Sequence, residues 1–315
     1  QKINRRNFLK TVPAAGVAAH STLSVCANAQ SSNLDNMRIG TAVYTPVSDY
    51  PIHPKRGSEV RIKDRFWSPK IRTNAAVTIP FQVNKPKQTE REFSLNVLEA
   101  AITSLQAHPN ATLAAQVESR IRSLLSQPWT GNTNFEIAAA YFHATGKRDL
   151  LEQANKAADA LYEDFKINNP PFSGGERDAL NCVQLYRATG DKKHLDLAKH
   201  YLDIRGLENS VNRSRHNQSY KPVLEQSEAV GHAVNGITLM VSLADVGVLI
   251  GLREYFDASE RMWTDVVERK MYITGGAGST GNEGFGAAYS LPNISAYAET
   301  CAVLMFITLN HRLFL

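Results

Sequence analysis

The sequence predicts an all-α fold, and three observations support this. From about residue 92 to residue 269, apolar side chains recur with the i, i+3, i+4, i+7 spacing of amphipathic helices. A helix–turn–helix pattern repeats within the same part of the chain. With 43% hydrophobic and 21% charged residues, the 315-residue chain is long enough for one large or two small globular domains. Eight helices are predicted, over residues 94–108, 113–127, 135–145, 149–165, 176–189, 193–205, 227–251 and 254–269.

Residues 1–29 resemble an export signal of the twin-arginine type. Arg5 and Arg6 lie in "NRRNFLK", a small and apolar stretch follows, and "ANA" at 27–29 has the pattern of a cleavage site. An ordinary N-terminal helix is the alternative, but Pro13 and Gly16 interrupt the apolar stretch. We therefore expect a periplasmic or secreted bacterial protein.

The net charge of +5 is concentrated in this first segment, which carries four basic residues and no acid. The rest of the chain is close to neutral, so nucleic acid is disfavoured as a partner. The most apolar stretch, residues 237–252, contains Asp245 and is short for a membrane span. We therefore expect a buried core helix there, and no membrane association once the signal is removed.

The chain between the signal and the helices divides into two parts. Residues 30–60 are polar and interrupted by prolines, which indicates a linker or a wrapping segment. Residues 60–81 alternate between apolar and polar, which predicts short strands or extended chain leading into the main body. The main domain is therefore expected to span residues 61–315.

The repeat lies in the helical part of the chain. "FHATGKRDLL" from Phe142 and "YRATGDKKHL" from Tyr186 align at an offset of 44, and a fainter copy follows. In each copy a glycine, at 146, 190 and 251, is expected to end a helix in the left-handed conformation. Such α-hairpins build either an open superhelix or a closed toroid, and the repeat length does not separate the two.

Several segments, in the same order along the chain, resemble the β-L-arabinofuranosidase family of glycoside hydrolases, family 127. They are "DRFWSPKIRTNAAVTIP" (64–80), "LYRATGDKKHLDLAKHYLDIRG" (185–206), "LEQSEAVGHAV" (224–234), "YITGGAGS" (272–279), "NEGFGAAYSLPN" (282–293) and "AYAETCA" (296–302). The resemblance implies an (α/α)6 barrel, incomplete here because eight helices fall short of twelve. It also implies retaining hydrolysis of arabinofuranose-containing oligosaccharides or glycans.

The resemblance assigns the central chemistry to the C-terminal motifs. Glu283 is implied as the acid/base, with flanking glycines that let the backbone approach a sugar and with Phe285 expected to raise the carboxyl pKa. Glu299 and Cys301 match two ligands of a zinc ion whose bound cysteine thiolate is the family's nucleophile. Residues i and i+2 point to one side only in extended chain, so we expect non-helical backbone or a helix start there.

The resemblance also assigns two pocket residues. His232 is implied to contact the sugar, and Glu176 is implied to bind substrate. Glu225 and Glu228 are expected to share a helix with His232, where Glu228 at i−4 would face the imidazole. Cys182, on an apolar helical face, is expected to be a buried structural thiol.

The sequence departs from the family at three places, one of which is the segment between Trp129 and Phe135, where family members have a longer stretch that carries a pocket histidine. The adjacent cysteine pair that supplies the nucleophile and the remaining zinc ligands would fall beyond Leu315, and Gly175 stands where the family usually has a histidine. We therefore expect a truncated or degenerate member and keep a non-catalytic carbohydrate-binding or interaction protein as the alternative. Another (α/α) barrel, such as a sugar epimerase or an unsaturated-uronide hydrolase, would share the repeats but would not account for "AETC".

Overall fold

Helices form where the apolar periodicity predicts them. The computed structural model describes residues 49–315 except Arg56, residues 86–91 and Gly174, and this part of the chain contains no strand. All eight predicted helices are present. The α-helices are α1 (Trp67–Thr73), α2 (Ile79–Asn84), α3 (Glu92–Ala107), α4 (Ala111–Leu125), α5 (Phe135–Thr145), α6 (Asp149–Asn168), α7 (Asp178–Thr189), α8 (Lys192–Asp203), α9 (Ala233–Ile250), α10 (Arg253–Asp265) and α11 (Thr300–Phe314).

The strands predicted near residues 60–81 are wrong, because the chain becomes helical at Trp67. The Asp64 carboxylate accepts hydrogen bonds from the backbone N–H groups of Trp67 (2.6 Å) and Ser68 (2.9 Å), which caps α1. The Ser68 hydroxyl donates back to the carbonyl of Ile62 at 2.6 Å. A π-helical turn, Asn74–Thr78, joins α1 to α2. Local capping therefore overrides the alternating pattern.

The repeated segments form helical hairpins, as predicted. Gly146, Gly190 and Gly251 adopt φ values of 75°, 74° and 80° and end α5, α7 and α9. In the first two copies the threonine before the glycine donates to the carbonyl four residues back and accepts the N–H two residues on. The same "ATG" thus makes the same turn twice.

The described residues fall into two compact units. We call Pro170–Leu180 together with Ala198–Leu315 the site unit, and Asn181–Leu197 together with the described part of Asn36–Asn169 the hairpin unit. In the hairpin unit, α3 packs on α2, α4 and α5, and α6 packs on α4 and α5. Phe135, Tyr141 and Leu150 are at most 1% exposed there and form its core.

The site unit is organised around α9, which packs against α10 and α11. By length and composition α9 could cross a membrane, yet 72% of that stretch is buried inside the protein, as expected for a core helix. Asp245 in α9 is fully buried, and its Oδ1 lies 2.9 Å from Nε of Arg312 in α11. This ion pair joins the last helix to the central one.

The predicted export signal and residues 30–48 lie outside the described residues. The described end of the 30–60 segment packs on the hairpin unit: Arg187 donates from Nε to Asp49 at 2.8 Å and from Nη2 at 3.0 Å, and Tyr50 is only 3% exposed. At this end, the segment wraps onto the helices.

Candidate functional site

The Gly-rich loop between α10 and α11 pairs with the chain that leads into α9. Ala233 donates its backbone N–H to the carbonyl of Glu283 at 2.8 Å, and Phe285 donates to Gly231 at 2.8 Å. These bonds form an isolated antiparallel bridge between His232 and Gly284. The loop motif and the "VGHAV" motif, about fifty residues apart, therefore meet in the site unit.

Glu283 sits at the tip of this pairing in a strained backbone conformation. Its φ is +63°, a left-handed value that a residue with a side chain adopts at a cost of order 1–3 kcal/mol. The turn is closed by Glu283 N–H donating to Thr280 O at 3.1 Å and by Thr280 N–H donating to Gly284 O at 3.1 Å. The turn projects the carboxylate beside the start of α9.

Both oxygens of the Glu283 carboxylate accept hydrogen bonds. The Tyr297 hydroxyl donates to Oε1 at 2.8 Å, and Nε2 of His232 lies 2.5 Å from Oε2. The Tyr297 hydrogen bond, followed by that of His232, lowers the pKa of Glu283 below its ordinary value. The expectation that Phe285 raises this pKa is therefore wrong: the Phe285 ring is buried against Gly236 of α9, while the Glu283 side chain stays 38% exposed.

His232 is the N-cap of α9, and its ring accepts through Nδ1 a 3.4 Å hydrogen bond from Asn235 N–H. A neutral imidazole that accepts at Nδ1 carries its proton on Nε2. This tautomer follows from the hydrogen-bond pattern. His232 therefore acts as a hydrogen-bond donor to Glu283.

The predicted helix shared by His232 with Glu225 and Glu228 is wrong. Gly231 has φ +69° and His232 is extended, so α9 begins only at Ala233. Glu225 ends a short 3₁₀ turn, and the carboxylate of Glu228 pairs with Arg215 at 3.0 Å. Neither glutamate orients the imidazole.

The backbone of His232 is held instead by a buried amide. Gln218 is 2% exposed, and its Nε2 donates to the carbonyls of His216 (2.8 Å), Val230 (2.8 Å) and His232 (3.3 Å). His232 N–H donates to the carbonyl of His216 at 3.0 Å. The loop around residues 213–219 thus fixes the entry to α9.

A buried charge pair holds the same entry segment from the other side. Asp265, 1% exposed, accepts the N–H of Ala229 at 2.9 Å and lies 2.9 Å from Nζ of Lys270. Lys270 also donates to the carbonyl of Ala229 at 2.7 Å. Arg269 also pairs with Asp265, at 3.2 Å, so Asp265 keeps one cationic partner without Lys270. Loss of Asp265, by contrast, would leave the buried Lys270 ammonium without this charge partner.

Glu299 and Cys301 lie at the start of α11, one of the two geometries expected for them. Glu299 is the N-cap residue, and Ala298 before it has φ +44° and donates its N–H to Gly278 at 2.8 Å. Oε2 of Glu299 is buried and has no hydrogen-bond partner among the described residues. Glu299 and burial together raise the pKa of the exposed Cys301 thiol.

A cation would suit these two side chains. Carboxylate and thiolate are both zinc ligands, and the unpartnered Oε2 together with the raised thiol pKa indicates uncompensated negative charge. Donor atoms of His232, Glu283 and Glu299 also lie within 4.8 Å of one another. His232 is a poor member of that group, because a ligating Nε2 would have to give up its proton to Nδ1, which faces the Asn235 N–H. The residues therefore fit half of a zinc site at Glu299 and Cys301.

Glu176 lies elsewhere in the site unit, just before α7. Its charge acts on Arg205, a guanidinium only 3% exposed that donates to the carbonyls of Gly175 (2.7 Å) and Asn217 (2.7 Å). Burial lowers the pKa of Arg205 to about 10, and the carboxylates of Asp178 and Glu176 act in the opposite direction. Cys182 is fully buried, as expected.

Three residues of the site were not predicted from the sequence. Tyr297 belongs to the motif "AYAETCA", but only the fold brings its hydroxyl to the Glu283 carboxylate. Gln218 and His216 lie in a polar loop whose sequence carries no periodicity. The contacts that Tyr297, Gln218 and His216 make with Glu283, Val230 and His232 span 12 to 16 positions through irregular loops, where no helical or strand period relates the two residues.

Comparison with known proteins supports the resemblance. Residues 118–315 match the family model described as beta-L-arabinofuranosidase, GH127 catalytic domain. The chain is 35% identical over 190 residues to a non-reducing end beta-L-arabinofuranosidase of Bifidobacterium longum subsp. longum, covering 53% of this chain and 29% of that protein.

Two solved structures share the fold. One, described as a GH127 beta-arabinofuranosidase, has a TM-score of 0.70 and 30% identity and covers 85% of this chain. Another, a GH127 beta-L-arabinofuranosidase from Geobacillus stearothermophilus T6, has a TM-score of 0.68 and 26% identity and covers 81% of this chain. The chain spans 52% of each of these structures, and the predicted all-α, barrel-type fold class is confirmed. The protein therefore belongs to the GH127 beta-L-arabinofuranosidase family.

Proposed function

We propose that this chain carries the acid/base side of a glycoside hydrolase site that acts on terminal β-L-arabinofuranosides. The observation that carries the proposal is the Glu283 carboxylate, exposed on a strained turn and held at both oxygens by Tyr297 and His232. A carboxyl group held in place in this way can give a proton to a leaving glycosidic oxygen and later take one from water.

The protein's own residues prepare this proton transfer. Tyr297 and His232 donate to the ionised form of Glu283, which suits a base. A bound sugar that excludes water and displaces the exposed Tyr297 hydroxyl would raise the pKa of Glu283, as an acid requires. We propose that Glu299 and Cys301 hold zinc, which when bound supplies positive charge and keeps a coordinated thiol deprotonated.

The family resemblance and the names of the relatives support this substrate class, and the predicted export signal supports a periplasmic or secreted location as part of the proposal. We propose Glu176 and His232 as substrate-binding residues. A second candidate function is non-catalytic binding of the same glycans. The lowered pKa of Glu283 favours it, since an ionised carboxylate accepts hydrogen bonds from sugar hydroxyls without donating a proton.

Hydrolysis of an aryl β-L-arabinofuranoside by the full chain, supplied with zinc, tests the proposal. The described residues supply an acid/base but no assigned nucleophile, so we expect aryl release by this chain alone to be weak. Release that depends on Glu283 should fall about 10²–10⁴-fold in Glu283→Gln, the usual contribution of a general acid/base. We also expect bound zinc, measured by elemental analysis, to be lost in Glu299→Gln and Cys301→Ser but kept in Cys182→Ser. Sugar binding by the native chain with neither bound zinc nor aryl release would contradict the hydrolase proposal and support the second candidate.

A further inference from the structure

We propose that His216 is a second imidazole of the sugar subsite, contacting the hydroxyl groups of the same pentose that reaches Glu283. The inference rests on the proposed function. The sequence motifs point to His232 alone, whereas the structure places the His216 ring beside it, with ring centroids 5.8 Å apart and ring planes at 88°.

Contacts of the backbone around His216, and not contacts of its side chain, fix where this residue lies. At Gly231 a Cβ would lie 2.1 Å from the carbonyl oxygen of Arg215 and 2.3 Å from that of His216. Only a residue without a side chain allows this approach. The Gln218 amide then joins the carbonyls of His216 and His232. The two imidazoles therefore stand on one rigid backbone frame.

The His216 ring is available to a ligand. Its side chain is exposed, and its ring nitrogens take part in no hydrogen bond or ion pair with the described residues. His232, by comparison, is 18% exposed and has both ring nitrogens engaged. The edge-to-face contact with His232 places the His216 ring beside the imidazole that donates to the Glu283 carboxylate.

The chemistry of the pair suits a polyhydroxylated ring. A neutral imidazole offers one donor and one acceptor, which match the donor and acceptor of a sugar hydroxyl. The Glu283 carboxylate accepts only. A pentose that reaches Glu283 from solvent thus meets the one unengaged imidazole of this frame.

Nuclear magnetic resonance of the full chain with ¹³C-labelled histidine tests the proposal, with methyl β-L-arabinofuranoside as the probe. The signal of His216 is assigned by its loss in His216→Phe. We expect the His216 and His232 signals to shift with a single dissociation constant, while that of exposed His53 stays in place. If His232 shifts and His216 does not, the inference fails and the proposed function stands. If neither shifts at any concentration, both fail.

Two substitutions separate sugar contact from ring packing. His216→Phe keeps an aromatic ring against His232 but removes both nitrogens, and we expect about three- to tenfold weaker binding, the loss of one or two neutral hydrogen bonds. His216→Gln restores a donor and an acceptor and is expected to recover part of the affinity. His53→Phe serves as the matched control. Native affinity in His216→Phe would show that the ring only packs.

Discussion

At the scale of single residues, the site depends on how Glu283 is held. Its two oxygens take hydrogen bonds from partners of different exposure: Tyr297 is 46% exposed, whereas the His232 side chain is 18% exposed. The His232 contact is fixed by the cap of α9, so Tyr297 is the partner that a ligand can displace. Tyr297 therefore has the largest effect on the pKa of the Glu283 carboxyl, although nothing in the motif "AYAETCA" distinguishes it from its neighbours.

Tyr297→Phe is expected to raise the pKa of Glu283 toward its ordinary value, because the largest cause of the lowered pKa is the Tyr297 hydroxyl. The side-chain carboxyl signal of Glu283, followed by ¹³C resonance against pH in the presence of a chelator, measures it. Tyr289→Phe, on the same loop and 71% exposed, is the control. An unchanged titration in Tyr297→Phe would mean that His232 alone sets the pKa.

At the scale of elements, the entry to α9 is decided by the close approach of two backbones. Gly231 carries φ +69° and touches the chain at residues 215 and 216, whereas Gly251 at the other end of α9 carries φ +80° with nothing near its Cβ position. Both glycines have a positive φ, but their surroundings differ. Substituting each glycine by alanine therefore distinguishes the free-energy cost of a left-handed backbone, at Gly251, from the added cost of a steric clash, at Gly231.

We expect Gly251→Ala to lower the free energy of unfolding by about 1–2 kcal/mol, the cost of a left-handed residue with a Cβ. Gly231→Ala should cost about 2–5 kcal/mol, because the clash with two carbonyls adds to that strain. Urea denaturation of both variants and the native chain measures the difference. Equal losses would mean that the loop at residues 213–219 moves away freely and does not hold His232.

At the scale of the whole molecule, pH dependence of stability comes from partly buried carboxylates such as Glu118 on α4. Burial raises its pKa, but hydrogen bonds from Lys147 (2.7 Å) and Tyr141 (2.9 Å) outweigh this, and the folded-state pKa is lowered. A lowered pKa contributes stability that is present above the unfolded-state pKa and is lost as the pH falls through the folded-state value. The contribution therefore operates at neutral pH and disappears in acid.

Glu118→Gln is expected to reduce the free energy of unfolding at pH 7 by less than about 1 kcal/mol, since the pair is partly exposed and screened by solvent. Near pH 3 the variant and the native chain should be equally stable. Glu163→Gln, an exposed residue of α6, is the control and should leave the profile unchanged. A Glu118→Gln loss that persists in acid would point to packing instead of charge.

The sequence by itself determined eight of the eleven α-helices of the described residues, the glycine turns of the repeat and the family motifs of the site. Helix ends at Gly146 and Gly190 follow from rules that act within about four residues, the reach of a helical hydrogen bond. The apolar period predicted α9 as a core helix for the same local reason. The matching motifs placed Glu283, Glu299 and Cys301 in one loop and the helix after it.

Only the tertiary structure decided where α9 starts, which groups hold Glu283 and which way its pKa moves. The start of α9 depends on the contact of Gly231 with residues 215 and 216. The position of the Glu283 carboxylate depends on a hydrogen bond from His232, 51 positions away along the chain. Glu228 was predicted to face His232 because a helix puts residues four positions apart on the same side. No helix forms there, since α9 begins only at Ala233. Contacts between distant segments form when many side chains pack together, and neither spacing nor periodicity records them.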